Sequence, residues 1–332
     1  MRPGILLFLL SFFFLTSCGT PRPSSTGVYW WKTTLDWSAD DTARLSRAGV
    51  DRVGLRLFDW GVRGEEGPLT VRRAVPADVE VVPVAYVTTA RLAAWAAEGH
   101  PEPGTAATDL LSAMDRALAP AWPGTPKTWQ LDADWSASTR ASWFAVVAAF
   151  RDLVHARGGR LEVTVRLHQY RDRQTQGVPP ADGGVLMLYG TGDAVLDPDL
   201  VRSYLVGPPY PIALTPAWPA YTQVRQLNGY GRLVALYRIG ERGDLPLADL
   251  EAEGGGRYRV LRRSTLGDGV LMARDELVVD GVDPAAAAGV AALPGVAGLR
   301  DRAGGRVWVF DYDRRSWGAL VTGPLAPFLF PR

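Results

Sequence analysis

The stretch that most constrains this chain is residues 128–159, which reads TWQLDADW followed by SASTRASWFAVVAAFRDLVHARGG. Two carboxylates, Asp132 and Asp134, sit near the end of a short strand-like run, and a long amphipathic helix follows at once. In a strand, residues two apart point the same way, so Gln130, Asp132 and Asp134 share one face while Trp129, Leu131 and Ala133 take the other. At ~3.3 Å per residue the two acids stand about 6–7 Å apart along the strand. In the helix, Trp143, Phe144, Val147, Phe150 and Val154 recur at three- and four-residue steps. Ser136 or Ser138 supplies a cap, and Gly158-Gly159 supplies the stop. This is one β/α unit with acid at its tip.

Similar units recur along the chain. Residues 28–32 (VYWWK), 52–59 (RVGLRLFD), 79–87, 161–168 (LEVTVRLH), 184–189 (GVLMLY), 210–216 (YPIALTP) and 306–311 (RVWVFD) read as strands. The run at 79–87 is apolar on both faces, as a buried parallel strand is, although Pro83 is awkward there. Helical patterns cover residues 90–98, 105–118 and 283–292, and the Ser38-to-Asp41 spacing is a capping box. Eight parallel-type strands with helical or long connections predict a (β/α)8 TIM-like barrel. A doubly wound open sheet is the competitor, weakened because no glycine-rich phosphate fingerprint follows the first strand. Residues 233–238, 258–262 and 276–279 read as strands of a β-rich insertion before the last barrel strand, its expected span 237–282.

The opening MRPGILLFLLSFFFLTSC has the form of a targeting segment, with Arg2 ahead of an apolar run at residues 5–15 that is short for a membrane span. Residues 1–17 are expected to be a signal peptide, 18–26 a tether rich in Pro and Ser, and 27–332 a single barrel domain. Cys18 is the only cysteine, which excludes an internal disulfide and a thiolate metal site. With 36 basic and 35 acidic residues there is no basic field to suggest nucleic acid. The three histidines, at 100, 155 and 168, lack ligand spacing, so no metal site is assigned and only a carboxylate site for a hard cation, built from acids of strands four and eight, stays open; no cofactor is indicated, and no Gly-x-Ser-x-Gly elbow marks an α/β-hydrolase.

In a barrel, active sites collect at the carboxyl ends of the strands, so polar residues there are the candidates. Arg56 ends the second strand, Tyr86 the third, Asp132, Asp134 and Trp135 the fourth, Tyr189 the sixth and Asp311 the eighth. Thr164, Arg166 and His168 alternate along the fifth, and Trp218 follows the seventh. A buried Asp132–Arg166 salt bridge is the purely structural alternative. Two acids beside Trp60, Trp135 and Trp218 suggest a carbohydrate ligand, with Asp134 and Asp132 as candidate catalytic carboxyl groups of a glycoside hydrolase.

The segments QLDADWSASTRASWF, VTVRLHQY and GVPPADGGVLMLYGTGD together resemble those of a group of uncharacterised bacterial lipoproteins thought to be glycosidase-like TIM barrels. Likewise Leu15-Thr16-Ser17-Cys18 resembles a lipobox, which implies lipid on Cys18 and a membrane anchor in the cell envelope. Gly19 after the cysteine implies the outer membrane in a diderm cell. More distantly, Asp132-Ala133-Asp134-Trp135-Ser136 and Met187-Leu188-Tyr189 look like the strand-four and strand-six signatures of chitinase-type hydrolases. There the motif runs Asp-x-Asp-x-Glu and the final glutamate is the acid. This chain has Ser136 at that place, and a hydroxyl cannot supply the proton at neutral pH. The resemblance therefore implies either hydrolysis through Asp134 or a barrel that binds glycan without cutting it.

Overall fold

The computed structural model of the chain describes residues 25–97, 102–190, 194–239 and 245–330. Eight parallel strands form its centre: β1 (Thr26–Trp30), β2 (Val50–Gly61), β3 (Glu80–Val87), β4 (Thr128–Ala133), β5 (Arg160–Arg166), β6 (Gly183–Met187), β7 (Leu214–Pro219) and β8 (Val307–Phe310). Each pairs with the next in sequence, and β1 pairs with both β2 and β8, so the ring closes. The protein is a (β/α)8 barrel.

Helices follow the strands where the sequence pattern places them. The Ser38 hydroxyl and the Asp41 carboxylate cap one another at the start of α1 (Ala39–Arg47). Two further helices, α2 (Thr89–Ala97) and α3 (Pro103–Leu118), lie between β3 and β4. The long helix α4 (Arg140–Ala156) buries Trp143, Val146, Val147, Phe150 and Val154. Burial of each such side chain contributes roughly 1.5–3 kcal/mol. Its N-cap is Thr139, with no side-chain cap bond, rather than Ser136 or Ser138. Those two serines instead bond each other in the preceding turn. Gly158, at φ +73°, takes the left-handed conformation that ends the helix. No helix of the described residues is long and apolar enough to cross a membrane.

The strands have two apolar faces and hence two cores. Outward, Leu131, Ala133, Val163, Val165, Leu188 and Trp218 join the layer beneath the helices. Inward, Tyr29, Val82, Val84, Val185, Met187, Tyr189, Trp308 and Phe310 pack against one another. Tyr29 stacks on Trp308 at 4.6 Å between centroids, and two glycines make room for these rings. A Cβ on Gly27 would stand 2.4 Å from Trp308, and one on Gly54 2.6 Å from Tyr29. The barrel interior below the strand ends is therefore filled, as it is in barrels of this class.

Between β7 and β8 a five-stranded antiparallel sheet lies outside the ring, in the order Leu233–Ile239, Thr222–Leu227, Glu276–Asp280, Arg257–Val260, Leu250–Gly254. Val224, Ile239, Val260, Leu277 and Val279 form its own small core. The sheet begins at Thr222, directly after β7, so it takes in residues upstream of 237.

Candidate functional site

At the mouth, strand register brings the acids together with their neighbours. Tyr86 on β3 lies in register with Asp132 on β4, and the two point the same way. On the other side, Thr164 of β5 donates its hydroxyl proton to Asp132 Oδ1 at 2.5 Å. Asp132 is only 3% exposed. Burial pushes its carboxyl up to about 6, although Arg166 and the Thr164 hydroxyl pull the other way. Tyr86, half-buried beside it, is pushed up to about 12 by burial and then by the charges of Asp134 and Asp132, so it stays a neutral hydroxyl.

Asp134 stands just beyond the end of β4 and is partly exposed. Arg166, the last residue of β5, grips it in the bidentate fork, with Nε on Oδ1 at 2.6 Å and Nη2 on Oδ2 at 3.0 Å. Burial works against the guanidinium charge, but Asp134 and Asp132 together hold its pKa above the ordinary arginine value. The expected Asp132–Arg166 salt bridge is not the one formed: Arg166 pairs with the outer acid, Asp134, and the inner acid rests on Thr164.

Tyr189 projects inward from the end of β6. Its ring stacks on Phe310 at 5.4 Å and meets Tyr221 edge-on at 5.9 Å. Among the described residues its buried hydroxyl has no hydrogen-bond partner. Below it, the Tyr29 hydroxyl donates to Gln130 Oε1 at 2.8 Å.

A cleft of about 700 Å3 opens between the ends of β1, β7 and β8 and the insertion, lined among others by Trp31, Lys32, Tyr221, Arg238, Asp311 and Asp313. Burial pushes the Asp311 carboxyl up to about 6 against the pull of Lys32 and Arg238. Asp313 shifts the other way: despite burial, the Arg315 backbone N–H and Lys32 hold it below the usual carboxylate range. Lys32 Nζ lies 3.2 Å from its Oδ2. Asp132, Asp134, Arg166 and Tyr189 do not line this cleft. They connect to it through Phe310, which stacks on Tyr189, and through Arg238, whose charge reaches Asp132.

Several expected site residues lie elsewhere. Trp135 and Trp218 are each 1% exposed, so neither is a platform for a ligand. The Trp135 indole donates to the Gln176 carbonyl and packs edge-on against Phe144, and Trp218 belongs to β7 and points outward to Phe328. Arg56 is buried and committed to Asp59 at 2.6 Å and to the Gly67 carbonyl, where it holds the loop after β2. His168 is not on β5. The strand ends at Arg166, and His168 lies on the short helix α5 (Leu167–Arg171), half-buried, its pKa lowered by burial though Asp134 pulls it up. Ser136 is exposed and bonded into the turn before α4. Cys18 lies outside the described residues. Among the described residues no group of three His, Cys, Asp or Glu side chains is placed to hold a metal ion.

Sequence reasoning missed Arg238, Tyr221 and Phe310. An arginine on an edge strand is ordinary protection of that edge, so the pattern carries no signal for a site. Trp31 and Lys32, in contrast, were legible as the end of the first strand but were read only as strand.

The closed ring of eight parallel strands defines a (β/α)8 barrel, a fold shared by chitinases and related enzymes. Solved structures share this architecture at low identity. A chitinase from Chromobacterium violaceum matches with a TM-score of 0.52 and 14% identity over 93% of this chain and 99% of that one. The spore cortex-lytic enzyme of Bacillus megaterium matches at 0.57 and 11% over 94% of this chain and 74% of that one. A GH18 chitinase from Cycas revoluta, solved in complex with (GlcNAc)4, matches at 0.52 and 10% over 91% and 99%. No protein-family model and no curated protein matches the sequence.

Proposed function

We propose that the chain is a lipid-anchored protein of the cell envelope that binds a polysaccharide or oligosaccharide at the barrel mouth without hydrolysing it by the chitinase route. The observation that carries this reading is the Asp134–Arg166 fork, with Ser136 in the place of the glutamate. A general acid must hold a proton and release it to the leaving oxygen. Asp134 is occupied as a double acceptor, and the Ser136 hydroxyl is engaged in a turn. What remains at the surface of the mouth and cleft is a set of fixed donors and acceptors suited to sugar hydroxyls: Tyr86, Arg166 and Asp311. The match to a chitinase solved with (GlcNAc)4 supports a carbohydrate as ligand.

A second reading is favoured by Asp132 and Asp311, whose carboxyl groups, pushed up to about 6, retain some proton near neutrality. Either would protonate a glycosidic oxygen in a slow hydrolase. A glycan array followed by product analysis tests the proposal. Binding with no new reducing ends supports it, reducing ends lost in D311N or D132N favour the second reading, and no glycan bound defeats both.

A further inference from the structure

Arg238 is carried on Leu233–Ile239, the edge strand of the insertion sheet, and reaches back over the barrel to line the cleft. Its guanidinium carbon lies 5.0 Å from the centre of the Tyr221 ring and 5.1 Å from that of Phe310. Cation–π contacts of this kind hold the head group against an aromatic wall without themselves consuming its five N–H donors, one of which bonds the Tyr221 side chain. The other two cations of the cleft differ. Lys32 and Arg315 both face Asp313, at 3.2 and 3.5 Å. Asp311 and Asp132 feel the charge of Arg238, but among the described ion pairs none involves it.

We propose that Arg238 is the specificity-determining residue of the cleft and selects glycans bearing a carboxylate, as uronic acids do, by in-plane bidentate hydrogen bonding. The inference rests on the carbohydrate-binding reading above. A planar guanidinium matches a carboxylate in a way an ammonium does not. Asp311 modulates the contact. It lies within the field of Lys32 and Arg238 on one side and Asp313 on the other, with Asp268, Tyr221, Tyr237 and Arg315 also on the cleft wall. Ionised, Asp311 repels an acidic ligand; as the pH falls through its folded value it gains a proton, the repulsion ends and it becomes a donor.

The test titrates the full chain, in detergent, with an oligogalacturonate, its methyl ester of equal length, and (GlcNAc)4. The wild type is expected to bind the acid roughly tenfold more tightly than the ester, as a charge-assisted fork implies, and to widen that ratio under mildly acidic conditions. R238Q removes the ratio and leaves ester affinity within about twofold, while R238K keeps only part of it. Equal binding of acid and ester by the wild type overturns the inference, as does an R238Q variant that weakens both alike, because a merely structural role does that. If (GlcNAc)4 binds and no preference for acid is seen, this inference alone fails. If none of the three binds, the carbohydrate reading fails with it.

Discussion

Arg166 holds Asp134 through two parallel hydrogen bonds of 2.6 and 3.0 Å, so the carboxylate nearest the open end of the barrel is fixed as an acceptor. A double-mutant cycle with D134N and R166Q measures that coupling in urea unfolding. About 1–2 kcal/mol is expected, more than an exposed pair gives, because the fork is bidentate and half-sheltered. D134N is also expected to lower glycan affinity roughly tenfold, since it releases Arg166 from its working orientation.

Asp132 makes stability depend on pH in the unusual direction. Its carboxyl is raised to about 6 in the folded state, above its value in an unfolded chain. Between those two values the native state binds more protons, so stability falls as pH rises through the window. D132N removes this penalty, and the Thr164 hydroxyl retains an acceptor. Thermal unfolding should show the variant more stable than wild type above the window, by on the order of 2 kcal/mol, and nearly equal to it below.

Asp41 acts in the opposite sense. It is fully buried at the start of α1, where Arg314 Nε at 2.7 Å and the Tyr312 hydroxyl at 2.6 Å both donate to it. Burial alone would raise its carboxyl, but Arg314, Tyr312 and Ser38 together hold it far below the usual range. Its contribution is present above the unfolded value and is lost as pH falls toward the folded one. D41A removes the capping box of α1 and the acceptor of the Tyr312 hydroxyl while leaving the partly exposed Arg314 hydrated, and should cost about 1–3 kcal/mol at neutral pH, read by denaturant titration.

Gly54 leaves no room for a side chain in the barrel interior. G54A drives a methyl group to 2.6 Å from the Tyr29 ring, which is itself stacked on Trp308 and bonded to Gln130. A loss of about 1–3 kcal/mol is expected, with a change in near-ultraviolet circular dichroism as the rings shift.

Much of the barrel was legible because its strands are apolar on both faces and its helices repeat at three and four, as α4 does with Trp143, Val147 and Phe150. The acids of β4 were legible for a related reason: charge at the tip of a buried strand needs a partner, and Arg166 two pleats along β5 supplied one. Tryptophans misled, since Trp135 and Trp218 look alike in sequence whether they face a ligand or the helices, and only the strand's end residue decides. His168 was misplaced because β5 turns helical one residue after Arg166. Arg238 was invisible, since its position over Phe310 depends on how the insertion sheet folds back, which no local pattern encodes.

Saturation-transfer NMR on the full chain mixed with chitin-type oligosaccharides, followed over a day, reads binding and cleavage in one tube. Transfer to sugar protons, reduced in D134N, is expected while the anomeric signals of the ligand stay constant. New reducing-end anomeric signals from the wild type, or no transfer to any sugar, would contradict binding without cleavage.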